Sequence, residues 1–168
     1  MKRWYLYGLI GLAFGVIDWF YLDWLTSDFA RSLGDPGPWM IPIMFIMNYG
    51  IWLVPLIPAV ILESRKAHRI KTPILTGILI WSSAIFGYYA YYGILLSLGK
   101  IPYHEHLNIF GEKYVGYWQQ YWWELRYLIL RQFLEWIPIA IFGGAFIGGL
   151  AWWVFKPRQP KKADQSIG

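Results

Sequence analysis

The sequence predicts an all-α, polytopic membrane protein: a four-transmembrane-helix bundle, N-in and C-in, with an amphipathic helix lying in the outer interface. Three observations predict it. Four apolar runs each reach the roughly 20 residues that a helix needs to cross about 30 Å of hydrocarbon. Hydrophobic residues make up 57% of the 168, aromatic residues 21% and charged residues only 15%, which is more Trp and Tyr than a soluble core of this size can bury. The charges gather in short clusters between the runs. The net charge of +5 therefore reads as loop charge facing a membrane surface, and no nucleic-acid partner is expected.

The first span covers about Trp4–Leu25. It follows MKR, but it is long, carries Asp18 and Asp23 and lacks a small-x-small cleavage site, so it reads as a retained span and not a signal peptide. The turn Gly34–Pro38, GDPGP, stops it, and Pro38 is preset for entry into the second span, Trp39–Leu62. Pro55 and Pro58 should kink or loosen the inner half of that span. The third span is Pro73–Leu98 and the fourth Gln132–Phe155. Between them an outer helix is expected over about 111–130, with Tyr114, Trp118, Tyr121, Trp122, Leu125 and Leu128 on one side and Lys113, Gly116, Gln120 and Glu124 elsewhere. Such a helix anchors in the headgroup layer, and its aromatic side also suits a partner subunit or a headgroup. Residues 1–156 make one domain, and 157–168 a flexible basic cytoplasmic tail.

Orientation follows from the basic clusters. Lys2 and Arg3 precede the first span, Arg65, Lys66, Arg69 and Lys71 join the second to the third, and Lys156, Arg158, Lys161 and Lys162 follow the fourth. All three clusters fall on one side, which makes both termini cytoplasmic and the cell membrane the expected location. Aromatic belts agree: Trp4, Tyr5, Tyr7, Trp152 and Trp153 at the inner ends, Trp19, Trp24, Trp39 and Trp136 toward the outer ends.

The chain has no Cys, so disulfides, thiolate metal sites and thiol nucleophiles are excluded. It has no Ser-His-Asp grouping, no HExxH and no phosphate loop, and none of His68, His104 and His106 lies in a span. No cofactor is expected, and enzyme activity is the class with least support.

Depth, counted at 1.5 Å per residue, separates the two acids of the first span. Asp23 falls within about a turn of the outer boundary; Asp18 lies roughly 10 Å below that boundary, too far for a short side chain to reach water. Asn48 falls at the depth of Asp18, and Tyr88, Tyr89 and Tyr92 lie within about a turn of it. Gly8, Gly11, Gly15 and Asp18 form one helical seam, and Gly11-x-x-x-Gly15 and Gly144-x-x-x-Gly148 are small-xxx-small pairs at matching depths. The sequence thus predicts that the first and fourth spans pack there, antiparallel, with Asp18 pointing into the bundle. Two readings of the layer compete: an interhelical clamp tying Asp18 to Asn48 or a tyrosine, and a site for a proton, a cation or a polar solute.

Other candidates carry simpler readings. Arg131 and Glu135 are an i, i+4 interfacial ion pair off the Asp18 seam. Met40, Met44 and Met47 share one face of the second span, and thioethers are soft ligands for Cu(I). M-x-x-x-M together with G-x-x-x-G is similar to the motifs of Ctr-type copper transporters. The similarity covers those short motifs alone; four spans, a cytoplasmic N-terminus and no Met-rich outer tail depart from that family. Met at helical spacing is otherwise gap-filling, and His104 and His106 in the outer loop are too few to make a zinc site.

The function expected first is that of a non-enzymatic accessory or scaffold subunit, engaging membrane lipids and a membrane-protein partner or a second copy. The alternative is a small transporter or channel with its site around Asp18. More remote are copper transport and a lipid-headgroup enzyme, which would need Asp23, Glu135 or His104 to converge.

Overall fold

A computed structural model describes residues 2–25, 37–99 and 117–157. Every regular element among them is helical: α1 (Lys2–Trp24), α2 (Met40–Gly50), α3 (Leu53–Lys66), α4 (Lys71–Ser97), α5 (Tyr117–Trp123), a π-helical segment (Glu124–Leu130) and α6 (Arg131–Phe155). Three helices among the described residues are long and apolar enough to cross a membrane: Arg3–Trp24, Lys71–Ser97 and the continuous rod Trp118–Phe155. They carry large apolar side chains on their outer faces, among them Leu9, Ile17, Phe20, Phe142, Phe146 and Trp153, a surface suited to lipid and costly in water.

The second apolar run is not one helix. It breaks at Ile51–Trp52 into α2 and α3, of 11 and 14 residues, each too short to span alone. The cause is Pro55, which has no N–H to return to the Ile51 carbonyl. The Val54 N–H takes that carbonyl instead, three residues back at 3.0 Å, and the chain tightens there. Pro58 and Pro138 lie inside α3 and α6, whereas two other prolines sit where they cost less. Pro42 and Pro73 lie in the first turns of α2 and α4, whose N–H groups have no intrahelical partner in any case.

Helix α4 is the centre of the molecule, with α1 on one side and α6 on another. A Cβ at Gly11 would meet the Ile80 carbonyl oxygen at 2.5 Å, and one at Gly15 would overlap the Ala84 carbonyl. On its other side α4 receives α6: Gly77 and Gly144 lie backbone to backbone, and Gly148 lies against Pro73 and Ile74. The expected pairing of the first and fourth spans is therefore corrected. Both glycine seams are close-approach surfaces, but each is turned to the third span, which lies between. Small residues at four-residue spacing permit any backbone to approach, and α4 carries its own small residues, Gly77, Ala84 and Gly87, at the matching levels.

These contacts fix relative directions. Levels rise together along α1 and α4, whereas α6 descends against α4. The α2–α3 pair descends against α1, since Tyr21 donates to the Met47 carbonyl at 3.1 Å and Tyr7 to Glu63 at 2.6 Å. At one end of the bundle stand Arg3, Glu63, Arg65 and Lys156: Arg3 lies 3.9 Å from Glu63, and the Arg65 guanidinium lies over the Phe155 ring.

Candidate functional site

The end of the bundle remote from those basic residues holds a buried layer of acids, amides and phenols between α1, α4 and the rod. Asp18 is its least accommodated member. It follows Gly15 by one turn on the seam that meets α4, and its relative exposure is 0%. Neither carboxylate oxygen has a hydrogen-bond partner among the described residues. Trp19 closes over the layer beside it, its ring 5.2 Å from Tyr88 and 4.7 Å from Tyr92. Thr76 Oγ1, Ser82 Oγ and the indole nitrogens of Trp81 and Trp152 also lack a hydrogen-bond partner among the described residues, but a neutral hydroxyl or indole costs far less to bury than a carboxylate.

The tyrosines of α4 behave differently from Asp18. Tyr88 and Tyr89 stand edge to face, 5.0 Å apart. The Tyr89 hydroxyl donates to Gln132 Oε1 at 3.2 Å and the Tyr92 hydroxyl to Glu124 Oε2 at 2.6 Å. Gln120 Nε2 donates to the second oxygen of Glu124 at 3.0 Å, so this buried carboxylate, unlike Asp18, has a donor on each oxygen. The layer thus holds two inward carboxylates in contrasting surroundings, one saturated and one bare.

Glu124 escapes a helical-wheel reading because of the π segment. Counting back from Gly144 at 3.6 residues per turn brings Arg126 to the α4 side and leaves Glu124 on the far side. In the structure the Arg131 N–H reaches the Arg126 carbonyl, five residues back. A residue of such a wider turn rotates through roughly 80° and not 100°, so seven of them shift the face by about a third of a turn. Arg126 is thereby turned out, and Glu124, Leu128 and Ile129 are turned in. Gln120 and Glu124, expected on the polar side of a separate interfacial helix, instead belong to one rod with α6. Trp118 and Trp122 face outward, 66% and 56% exposed, and Tyr121 is half-buried.

The remaining sequence candidates fall as follows. The side chains of Asn48 and Met40, and Tyr114, His104 and His106, lie outside the described residues. Met44 and Met47 pack against the apolar core beside the layer. Arg131 and Glu135 form an exposed ion pair at 2.9 Å, and Asp23 is half-buried. No group of three His, Cys, Asp or Glu among the described residues converges on a point where a metal ion would sit.

Sequence reasoning missed a second buried acid pair, at the opposite end of the bundle. Glu63 of α3 is 7% exposed and accepts the Tyr7 hydroxyl at 2.6 Å. Its position directly before a basic cluster makes it look like loop charge. The signal that separates it is Ser64 beside it, fully buried with its hydroxyl on the Val60 carbonyl, a helical back-bond and not a loop contact. No protein-family model, curated protein or solved structure matches this chain.

Proposed function

We propose that this is a multi-pass protein of the cell membrane, crossing four times with both termini in the cytoplasm, and that it moves protons or small cations through an outer-half site centred on Asp18. The fourth crossing is assigned to α2 and α3 together. Met47 is level with Tyr21 and Glu63 with Tyr7, so the broken pair descends about 24 Å over 63 − 47 = 16 residues. Discontinuous helices of this kind are tolerated where a neighbour or a cavity satisfies the freed backbone. The basic residues gathered at one end support its cytoplasmic assignment.

The single observation that carries the functional reading is the bare carboxylate of Asp18. An acid held at 0% exposure with no hydrogen-bond partner among the described residues ties no helix to another there, whereas ionisable groups inside membranes are ordinarily kept for transport. The neighbouring phenols and Glu124 supply a hydrogen-bonding surface along which a proton or a desolvated cation is handed on. Trp19 makes this conformation a closed one. Purified protein reconstituted in vesicles tests the reading: a pH or cation gradient is imposed, and internal pH is followed with a trapped dye. Flux that Asp18→Asn abolishes and Asp23→Asn spares supports it; protein with no flux of either kind removes it.

A second reading, the accessory or scaffold subunit, rests on the outward face of the rod. Trp118, Trp122 and Tyr127 are exposed together there, the residue types that anchor protein contacts. Under that reading Asp18→Asn changes no flux, and loss of those three rings dissociates a membrane complex.

A further inference from the structure

At the basic end, α1 and α3 part to leave a groove of about 400 Å³. Its walls are apolar: Leu6 and Ile10 on α1, Pro55, Pro58, Ala59 and Leu62 on α3. The concavity is built into the sequence, because two proline rings and an alanine replace longer side chains over five residues of α3. Three charged residues rim it, Arg3, Lys66 and Glu63. Glu63 is turned inward, one oxygen accepting the Tyr7 hydroxyl at 2.6 Å and lying 3.9 Å from Arg3. The Arg3 side chain is 67% exposed, which leaves most of its guanidinium donors directed outward.

We propose that this groove binds a monoanionic glycerophospholipid, one acyl chain along Leu6, Ile10, Pro55 and Pro58 and its phosphodiester between Arg3 and Lys66. Charge complementarity chooses the occupant. Two cations and one carboxylate leave a single surplus positive charge, which matches the single negative charge of a phosphatidylglycerol-type lipid and leaves a zwitterionic phosphatidylcholine unmatched. Arg3 offers a planar fork for two phosphate oxygens and Lys66 a mobile point charge. The volume lies within the range of ligand clefts, and the open side, flanked by exposed Leu6, Ile10 and Leu62, admits a lipid laterally. The inference is independent of the role assigned to Asp18 at the other end.

The test uses the purified full chain in nonionic detergent, titrated with phosphatidylglycerol, with phosphatidylcholine of the same acyl chains, and with glycerol phosphate alone. Bound lipid is counted by native mass spectrometry. One surplus charge near a surface predicts a preference of about fivefold for phosphatidylglycerol, which falls as salt rises. The preference disappears in Arg3→Gln/Lys66→Gln, and Ile10→Trp, which fills the groove, weakens both lipids. Equal retention of the two lipids by the unaltered protein overturns the proposal. So does a preference that survives the double substitution, or saturation by glycerol phosphate alone. Should the double variant fail to fold, Lys66→Gln and the salt dependence of the unaltered protein decide.

Discussion

Tyr92 and Glu124, 32 residues apart in the chain, meet at 2.6 Å inside the bundle, the phenol donating to the carboxylate. This contact couples α4 to the rod at the point where the rod is π-helical, and it predicts a double-mutant signature. Tyr92→Phe leaves a buried carboxylate oxygen without its donor and should lower stability by about 1–3 kcal/mol, measured by thermal melting in detergent. Tyr92→Phe/Glu124→Leu removes both partners and should recover most of that loss. Simple addition of the two single effects would show that the pair is not coupled.

The glycine seams predict position-dependent tolerance. Gly15→Ala places a methyl on the Ala84 carbonyl and should cost about 1–3 kcal/mol as α1 is pushed from α4. Gly93 lies in the same α4 helix but has nothing within 4 Å of an added Cβ. Gly93→Ala should therefore be neutral or stabilising by up to about 1 kcal/mol, through the higher helix propensity of alanine. Equal effects at both positions would contradict the packing described.

How far the sequence reached can be read from the same residues. Apolar run length and composition were sufficient for helices and for a surface suited to lipid, because both depend on local sequence. The seam Gly11, Gly15, Asp18 was legible as an inward face, since periodicity within one helix needs no knowledge of a neighbour. Its partner was not: depth matching linked Gly15 to Gly144, while α4, lying between, met both. Glu124 was illegible for a different reason. One wide segment rotates everything before it, and no periodicity analysis anticipates a change of period. The break at Ile51–Trp52 was half legible, in that Pro55 and Pro58 announced a defect without saying that it would divide the span.

The crossing pattern has a direct check, helped by the absence of native cysteine. Ser97→Cys and Lys156→Cys lie at opposite ends of the bundle. In intact cells a membrane-impermeant maleimide should label the first at once and the second only after permeabilisation. Labelling of both from outside would remove the cytoplasmic assignment of the C-terminus.

The outward aromatic rings of the rod give a separate expectation. Trp118→Ser/Trp122→Ser should leave thermal stability within about 0.5 kcal/mol, since both rings are more than half exposed. A large loss in monomeric, detergent-solubilised protein would mean that these rings hold the fold.

The central claim is that Asp18 is retained for function and not for the fold, and the most direct measurement is the melting temperature of Asp18→Val. This substitution removes all hydrogen-bonding capacity with little change in bulk. A carboxylate buried without a partner among the described residues predicts a melting temperature equal to or above that of the unaltered protein. A fall of several degrees would mean that Asp18 clamps the helices together, and would contradict the account.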